Sequence, residues 1–304
     1  MPIPPGKTAI VFGASGFIGS HTSRQLSNDG WKVVAVSRSR PVPGLCGPDT
    51  IWVPHPQSVN EVIGFYKPSL VVNAVVCYGR QGEPLADQIA LNSLFPIQLA
   101  EQCEATGCSR FVHVDTFSWK PRTGAFVEAA YTKTKKFAWD MLASMSNRRC
   151  SIAVARLEFP YGPGDRSHKF VSKLLSAFAN DVPRFAMSDG LQERDFVWID
   201  DVSAAISKIG CAELPMGLTD IEIGTGQTIP VREFAEILRA ATAATTTLGF
   251  GELPRIPGEM QRSVADVTWL SRLGVVPTTS VEDGCAKLAM YRSANSSCRS
   301  NQIG

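Results

Sequence analysis

Short apolar runs alternate with amphipathic stretches through the first half of the chain. The runs are rich in Val, Ile and Phe, which is typical of buried strands, and the stretches between them repeat apolar residues at helical spacing. The pattern predicts strands at residues 8–12, 31–36, 70–76, 110–114 and 151–157, and helices at residues 17–29, 87–105 and 131–145. Because strands alternate with helices, we predict an α/β fold with a Rossmann-type doubly wound parallel sheet.

The second half of the chain has a different character, because Pro and Gly become frequent and the strands lose their regular spacing. We predict that residues 1–159 form the main domain, to which residues 194–217 return. Residues 160–193 and 218–292 are predicted to form a smaller C-terminal α/β lobe. The polar segment 293–304 is predicted to be a flexible tail.

Composition excludes several classes of protein. The formal net charge of the 304 residues is +2, so the chain has no basic field that would hold nucleic acid. The eight cysteines contain no CxxC pair and the four histidines are too few for zinc-ligand spacings, so we expect reduced thiols and no metal site. The N-terminal apolar run stops at Gly13, too early for a signal peptide or a membrane span. We therefore expect a cytoplasmic protein with no membrane partner.

A glycine-rich turn follows the first predicted strand and opens the first predicted helix. Gly13 permits a tight turn, Gly16 lets the backbone approach a pyrophosphate, and Gly19 lets the helix pack closely on the strand. Free N–H groups at the start of the helix can then bind the anion. The pattern predicts a dinucleotide site whose contacts are Gly13, Ser15, Gly16, Phe17, Ile18 and Gly19.

The residues after the second predicted strand bear on the choice of dinucleotide. NAD enzymes usually carry an acidic residue at this place, where it holds the ribose hydroxyls. This chain has Ser37 and then Arg38, and an arginine suits a 2′-phosphate. We therefore predict that Ser37 and Arg38 contact the cofactor and that NADP(H) is favoured over NAD(H).

A tyrosine and a lysine four residues apart lie on one face of the third predicted helix. A neighbouring ammonium group favours phenolate, so Lys135 is expected to lower the pKa of Tyr131 and to ready its hydroxyl for proton transfer. The pair follows a predicted strand that ends in Thr116, whose hydroxyl could hydrogen-bond a reacting carbonyl group. The order of Thr116, Tyr131 and Lys135 after the glycine turn predicts a catalytic triad.

These motifs together resemble the extended short-chain dehydrogenase/reductase family, also called the NAD-dependent epimerase/dehydratase family. The resemblance runs from about Lys7 to Met290 and includes the motifs around Asn73, Tyr161-Gly-Pro-Gly164, Arg194-Asp-Phe, Ile223-Gly-Thr-Gly226 and Arg262 to Asp266. It implies that Thr116, Tyr131 and Lys135 form the triad, with Lys135 also holding the nicotinamide ribose. It implies cofactor contacts from Asn73, Ala74 and Val75, and substrate contacts from Phe159, Lys169, Arg194, Arg255 and Glu259.

Departures from the family pattern narrow the reaction. Sugar 4,6-dehydratases carry an acidic pair after the catalytic threonine, whereas this chain has Phe117 and Ser118, which cannot act as an acid and a base near neutral pH. The segment from Leu157 to Asp165, followed by Lys169, resembles CDP-paratose and CDP-abequose synthases. That resemblance implies an NADPH-dependent reductase of the 4-keto group of a nucleotide-activated deoxysugar, with Tyr131 as proton donor.

Three alternatives remain open at this point. The chain could be a nucleotide-sugar epimerase with tightly bound NAD(P), a non-catalytic NADP-binding sensor, or a reductase of a carbonyl compound that carries no nucleotide. The helical segments 87–105 and 131–145 are apolar on more than one face. In relatives such helices pair across a two-fold axis, so we also predict a homodimer.

Overall fold

The structure is a computed structural model that describes residues 7–41, 47, 50–54, 59–120, 129–146 and 149–300, with side chains up to residue 291. Within these residues the strands are β1 (Thr8–Phe12), β2 (Lys32–Ser37), β3 (Ile51–Pro54), β4 (Leu70–Asn73), β5 (Arg110–Thr116), β6 (Ser151–Leu157), β7 (Phe159–Tyr161), β8 (Arg184–Ala186), β9 (Glu193–Arg194), β10 (Phe196–Trp198), β11 (Gly217–Ile223), β12 (Ile229–Pro230), β13 (Thr247–Gly249) and β14 (Arg262–Ser263). The α-helices are α1 (Phe17–Asn28), α2 (Val59–Tyr66), α3 (Leu85–Ile89), α4 (Phe95–Thr106), α5 (Ala130–Ser144), α6 (Phe170–Ala179), α7 (Ile199–Cys211), α8 (Val231–Ala241), α9 (Thr268–Arg272) and α10 (Val281–Ser300).

A seven-stranded parallel sheet forms the centre, in the order β11-β6-β5-β4-β1-β2-β3. Alternate residues of β1 face opposite sides, so Ala9 and Val11 pack in one buried cluster while Ile10 and Phe12 pack in the other. The first cluster includes Leu26 of α1 and residues of α7, and the second includes residues of α2, α4 and α5. The predicted doubly wound α/β fold is therefore confirmed.

The predicted boundary of the smaller lobe is wrong at one strand. β11 pairs in parallel with β6 along its whole length, so residues 218–223 belong to the main sheet. Thr219, Ile221 and Ile223 are buried, because one face of this edge strand packs on the core. The smaller lobe contains α6, α8, the three-stranded sheet β12-β9-β14 and the strand pair β13-β8.

The predicted C-terminal tail also needs a correction. The helix α10 continues through residues 293–300, which the sequence analysis assigned to a flexible tail, and residues 301–304 lie outside the described part. A polar composition does not prevent a helix, because Ala, Ser and Arg have adequate helix propensity. The start of α10 packs through the buried Cys285 and Leu288. The six cysteines with described side chains are free thiols, whereas Cys46 and the side chain of Cys298 fall outside the described part.

The helix predicted at residues 87–105 consists of α3, a π-helical segment Ala90–Leu94 and α4. A π-helical turn changes the direction in which the following side chains project. Here it places Asn92 and Ser93 against α5, where both are buried. Within the described residues, no helix combines the length and apolar character that a bilayer span requires.

The carboxyl ends of the central strands meet at one edge of the sheet. Phe12 lies opposite both Val36 and Asn73, and Thr116 lies opposite Leu157. In open α/β sheets this edge is where ligands bind. The glycine turn, the ends of β2 and β4, and the predicted triad are therefore brought to the same side of the molecule.

Candidate active site

The glycine turn between β1 and α1 is sterically closed to larger residues. Gly13 has φ +79°, and a Cβ atom there would lie 2.8 Å from the carbonyl carbon of Ala74. A Cβ atom at Gly19 would lie 2.2 Å from the Gly13 carbonyl oxygen, because the helix packs directly on the turn. Both positions therefore require glycine, as the sequence predicted, and the turn is held against β4.

The start of α1 fits an anion. Gly16 is the N-cap residue and supplies no side-chain hydrogen bond, and the first turn of the helix carries no acidic residue. The first N–H groups of a helix have no intrahelical acceptor, so those of Phe17 and Ile18 can face an anion. The predicted contact Ser15 lies at this turn and accepts a hydrogen bond from the Ser39 hydroxyl at 3.3 Å. The residues present thus fit the pyrophosphate of a dinucleotide.

The end of β2 carries the two residues predicted to distinguish the dinucleotides. Ser37 is buried and donates its hydroxyl to the Ser39 carbonyl oxygen at 2.8 Å, which tightens the turn. Arg38 follows it with an exposed side chain. Gly13 N donates a hydrogen bond to Val36 O at 2.9 Å, so the end of β2 lies beside the glycine turn. Arg38 follows Val36 by two residues and is therefore near the start of α1.

The end of β4 contains a buried amide that bridges two strands. Asn73 accepts a hydrogen bond from Val75 N at 3.1 Å, and its Nδ2 lies 3.2 Å from His113 Nδ1 on β5. Ala74 and Val75 line a cavity, whereas Asn73 lies beneath them. Burial, helped by Lys135, holds the pKa of His113 well below its usual value, so this histidine is neutral.

Thr116 and Tyr131 meet in the cavity. Thr116 ends β5 and accepts a hydrogen bond from Ser118 N at 3.2 Å, which fixes its side chain. Tyr131 lies in the first turn of α5 and lines the same cavity as Thr116. Burial raises the pKa of Tyr131 well above its usual value, and the nearby Tyr78 adds to the effect, whereas the Thr116 side chain opposes it. Tyr131 is therefore a protonated phenol near neutral pH.

Lys135 does not act on Tyr131 as the sequence analysis expected. Its Nζ donates to Val114 O at 2.7 Å and to His113 Nε2 at 3.2 Å, and lies 3.6 Å from Asp115 Oδ1. Burial lowers the pKa of Lys135, while Asp115 opposes that shift. The expectation that its ammonium group lowers the Tyr131 pKa is wrong for this structure, because β5 holds that group.

A buried charge network lies beneath the segment that follows Thr116. Lys120 donates to Glu158, to Glu222 Oε2 at 2.6 Å and to Val264 O at 2.7 Å. The other carboxylate oxygen of Glu158 accepts from Ser263 Oγ at 2.6 Å. The network therefore joins the segment after Thr116 to the ends of β6 and β11 and to the smaller lobe.

A cavity of about 770 Å³ connects the triad with most of the predicted substrate contacts. It is lined by Thr116, Tyr131 and Lys135, by the predicted cofactor contacts Ile18, Ala74 and Val75, and by the predicted substrate contacts Phe159, Lys169, Arg194 and Glu259. Arg194 is buried and its Nη2 donates to Glu259 Oε1 at 3.1 Å. Arg255 does not line the cavity, because its Nε donates to Asp189 at 2.8 Å and its Nη1 to Gln261.

The structure adds cavity residues that sequence reasoning missed. Tyr78 lies with its ring centre 5.0 Å from that of Tyr131, and Arg80 and His168 line the same wall. Asn92 holds the neighbouring loop, because its side chain accepts from Cys77 N at 2.9 Å and donates to Cys77 O at 2.7 Å. No local sequence motif identifies these residues as part of a site. The polar Asn92 inside an apolar helical pattern did indicate a buried polar contact.

Comparison with known proteins identifies relatives along most of the chain. The model of the NAD dependent epimerase/dehydratase family matches residues 9–213. CDP-abequose synthase of Salmonella muenchen is 26% identical over 288 residues, which cover 93% of this chain and 97% of that protein. CDP-abequose synthase of Salmonella typhimurium is also 26% identical, over 92% of this chain and 96% of that protein.

Solved structures share the whole fold. MoeE5 in complex with UDP-glucose and NAD is 26% identical and superposes with a TM-score of 0.79, over 95% of this chain and 99% of that one. UDP-glucose 4-epimerase from Thermotoga maritima, solved with UDP-glucose, is 20% identical with a TM-score of 0.81, again over 95% and 99% of the two chains. The second likeness concerns the fold alone.

Proposed function

The chain belongs to the NAD-dependent epimerase/dehydratase family and is an NAD(P)-dependent enzyme, and from this premise we propose that it reduces the 4-keto group of a nucleotide-activated deoxysugar. The observation that carries the proposal is that Thr116, Tyr131 and Lys135 line one cavity at the carboxyl end of the central sheet. Two CDP-abequose synthases that match nearly the whole chain support a sugar nucleotide as substrate.

The cofactor is proposed to be NADP(H). Its pyrophosphate would be held at Gly13 and Gly16, and the uncapped start of α1 supplies N–H donors there. The exposed Arg38 after Ser37 would hold the 2′-phosphate. When it is bound, the nicotinamide ring supplies the hydride for the reduction.

Tyr131 is proposed to donate the proton that completes the reduction. Its raised pKa keeps the phenol protonated, which is the state that a proton donor needs. Thr116 would orient the carbonyl oxygen, since its side chain is fixed by Ser118 N and lines the cavity together with Tyr131. Lys135 would hold the nicotinamide ribose and supply positive charge nearby.

The residues after Thr116 argue against water elimination. Phe117 and Ser118 line the cavity at the places where sugar dehydratases carry an acidic pair. The Ser118 hydroxyl lies 3.2 Å from that of Thr132, and the Phe117 ring lies 6.2 Å from that of Phe159. Neither side chain exchanges protons near neutral pH, so reduction fits this wall of the cavity better than dehydration.

The substrate is proposed to contact Phe159, Lys169, Arg194 and Glu259, which all line the cavity. Arg194 would meet the diphosphate while it stays paired with Glu259. A role for Arg255 would be indirect, because its ion pair with Asp189 lies beside the cavity-lining segment 256–260.

The test is to follow NADPH and NADH absorbance with a panel of nucleotide-activated 4-keto-deoxysugars. We expect oxidation of NADPH in preference to NADH, and we expect Tyr131→Phe to lower turnover by about 100- to 10,000-fold with nearly unchanged cofactor affinity. Tyr66→Phe is the matched control, because Tyr66 lies on α2 and does not line the cavity. Near-normal turnover in Tyr131→Phe would remove Tyr131 from the mechanism.

A nucleotide-sugar epimerase is the second candidate, and the 26% identity to MoeE5, solved with UDP-glucose and NAD, favours it. An epimerase oxidises and re-reduces the same carbon, so it shows no net use of cofactor. The purified protein would then carry a slowly exchanging nucleotide and interconvert two sugars without a change in NADPH absorbance. Stoichiometric NADPH oxidation would decide for the reductase.

A homodimer is also proposed. Leu91 and Leu94 of the π-helical segment, and Phe137 and Met141 of α5, are large apolar side chains that are 36–49% exposed. The two helical segments are in contact with each other, so these side chains can form one apolar face. Light scattering should give twice the monomer mass, and Leu94→Glu with Phe137→Glu should give the monomer. A monomeric parent protein would reject the dimer.

A further inference from the structure

Three cationic side chains converge on one aromatic ring in the cavity wall. The ring is that of Tyr78, and the cationic atoms of Arg80, Arg166 and Lys169 lie 5.7, 5.4 and 5.4 Å from its centre. The ring of His168 approaches the same tyrosine at 6.2 Å, edge to face. Two separate segments of the chain, the loop after β4 and the loop before α6, thus bring their positive charges together.

This wall holds more positive charge than its own carboxylates neutralise. Lys169 pairs with Asp165 at 3.2 Å, and Glu83 lies close enough to Arg166 to feel its field. Within the described residues, neither Arg80 nor Arg166 has a carboxylate oxygen within 4.0 Å. Like charges held around one ring repel one another, and the aromatic face compensates for only part of that repulsion.

The electrostatic effect of this wall is visible on its neighbours. The pKa of His168 is lowered by burial and then by Arg80, Arg166 and Lys169 in turn, so its imidazole is neutral and can donate a hydrogen bond without added charge. Arg80 also reaches the catalytic tyrosine, because it opposes the rise in the pKa of Tyr131. The positive potential therefore extends to the reacting end of the cavity.

The arginines that the resemblance assigns to the substrate are differently placed. Arg194 is paired with Glu259 and Arg255 with Asp189, so each brings little net charge to the cavity. We propose that Arg80 and Lys169, which line the cavity, bind an anionic oxygen group of the substrate, either a phosphate of its diphosphate or a carboxylate on its sugar. Arg166 lies against the same Tyr78 ring outside the cavity lining and adds its positive charge to the site. Guanidinium groups suit both anions, because their paired N–H donors match two oxygens.

The inference rests on the proposed function in one respect, that a nucleotide-activated sugar binds beside Tyr131. Because the Tyr78 and Tyr131 rings are in contact, the bound anion would lie next to the part of the sugar that reacts. It would fix the direction in which the sugar enters the cavity, and so would contribute to specificity rather than to proton transfer.

The experiment is calorimetric titration of the full chain with two pairs of probes. CDP against cytidine reports on phosphate, and UDP-glucuronic acid against UDP-glucose reports on a sugar carboxylate. The variant is Arg80→Met with Arg166→Met, both exposed side chains. Arg272→Met is the matched control, because Arg272 is an exposed arginine 5.3 Å from the Trp269 ring that does not line the cavity.

We expect the parent to prefer at least one anionic probe, and the double variant to lose that preference by about 10- to 100-fold, as for the loss of charge-assisted hydrogen bonds. The pair of probes for which the double variant loses the preference shows whether the anion is a phosphate or a sugar carboxylate. The inference would be overturned if the parent protein preferred neither anionic probe. It would also be overturned if the double variant kept the parent's preference, as the Arg272→Met control is expected to do. Salt gives a second measurement on the parent, because added salt should weaken CDP binding and leave cytidine binding unchanged. The titration measures binding and not NADPH oxidation. Its result therefore stands even if the reductase test fails.

Discussion

Replacing Lys120 by methionine tests whether one ammonium group holds together the charges beneath the active site. The three N–H groups of Lys120 Nζ are used by Glu158, Glu222 and the Val264 carbonyl oxygen. Methionine keeps most of the aliphatic stem and removes the charge. The change therefore isolates the electrostatic contribution from the packing contribution.

The magnitude follows from the burial of the two carboxylates. Removing one partner of a buried ion pair costs about 3–5 kcal/mol, because the other charge stays buried without compensation. Glu158 is 1% exposed and loses its main partner, whereas Glu222 is 17% exposed and keeps Arg156 at 3.3 Å. We expect a loss of about 3 kcal/mol at pH 7, which corresponds to a Tm roughly 5–10 °C lower.

The loss should depend on pH in a definite direction. Burial already raises the pKa of Glu158, and its hydrogen bonds to Lys120 and Ser263 oppose that rise. Without Lys120 this pKa rises further, so the folded variant binds a proton that the unfolded chain lacks, and its stability increases as pH falls. The deficit relative to the parent should therefore shrink between pH 7 and pH 5.

Differential scanning calorimetry at both pH values measures this deficit. Lys136→Met is the matched control, because Lys136 pairs with Asp140 at 3.1 Å while both side chains are more than 40% exposed. An exposed pair of this kind contributes about 0.5 kcal/mol or less. The reasoning would be refuted if Lys120→Met lost no more stability than Lys136→Met, or lost the same amount at pH 5 and pH 7.

Two further predictions concern the site, and a third concerns the contact between α1 and α7. Because burial raises the pKa of Tyr131, turnover in the direction of reduction should stay level up to about pH 9, and a fall between roughly pH 6 and pH 8 would contradict this. Gly13→Ala should abolish measurable binding of the dinucleotide in a fluorescence titration, because its Cβ atom would lie 2.8 Å from Ala74, whereas Gly107→Ala has open space at a similar φ and should bind it normally. Asp200, whose pKa is lowered to about 2 chiefly by its hydrogen bond from His21, is half exposed, so Asp200→Asn should cost only about 1 kcal/mol at pH 7. That cost should fade as pH drops from about 4 towards 2, and thermal unfolding that shows a constant difference would exclude the ion pair as its cause.

The sequence was sufficient for the features that local chemistry determines. The glycine turn could be predicted because Gly13 and Gly19 have no room for a Cβ atom, and the central strands could be predicted because both of their faces are buried. Thr116, Tyr131 and Lys135 meet in the cavity because the end of a strand and the first turns of the next helix are necessarily neighbours here.

Features that depend on distant segments could not be predicted. The spacing of Tyr131 and Lys135 places both residues on one helix face. The direction of the Lys135 ammonium group, however, is determined by its hydrogen bonds to His113 and Val114 of β5. The contact of Arg166 with Tyr78 joins residues from two loops that no periodicity relates. The strand β3 and helix α2 were also missed, because both are short and only partly buried.

The position of β11 at the edge of the central sheet limits how this protein can be divided. Six of the seven strands precede the segments that line one side of the cavity, and the seventh strand follows most of those segments. A fragment that stops at residue 159 would leave β6 as an unpaired edge, which invites aggregation. The segments that line the candidate site between β6 and β11 are therefore insertions within one folding unit and not a separable domain. A chimaera designed for new specificity should exchange the loops and retain Gly217–Ile223.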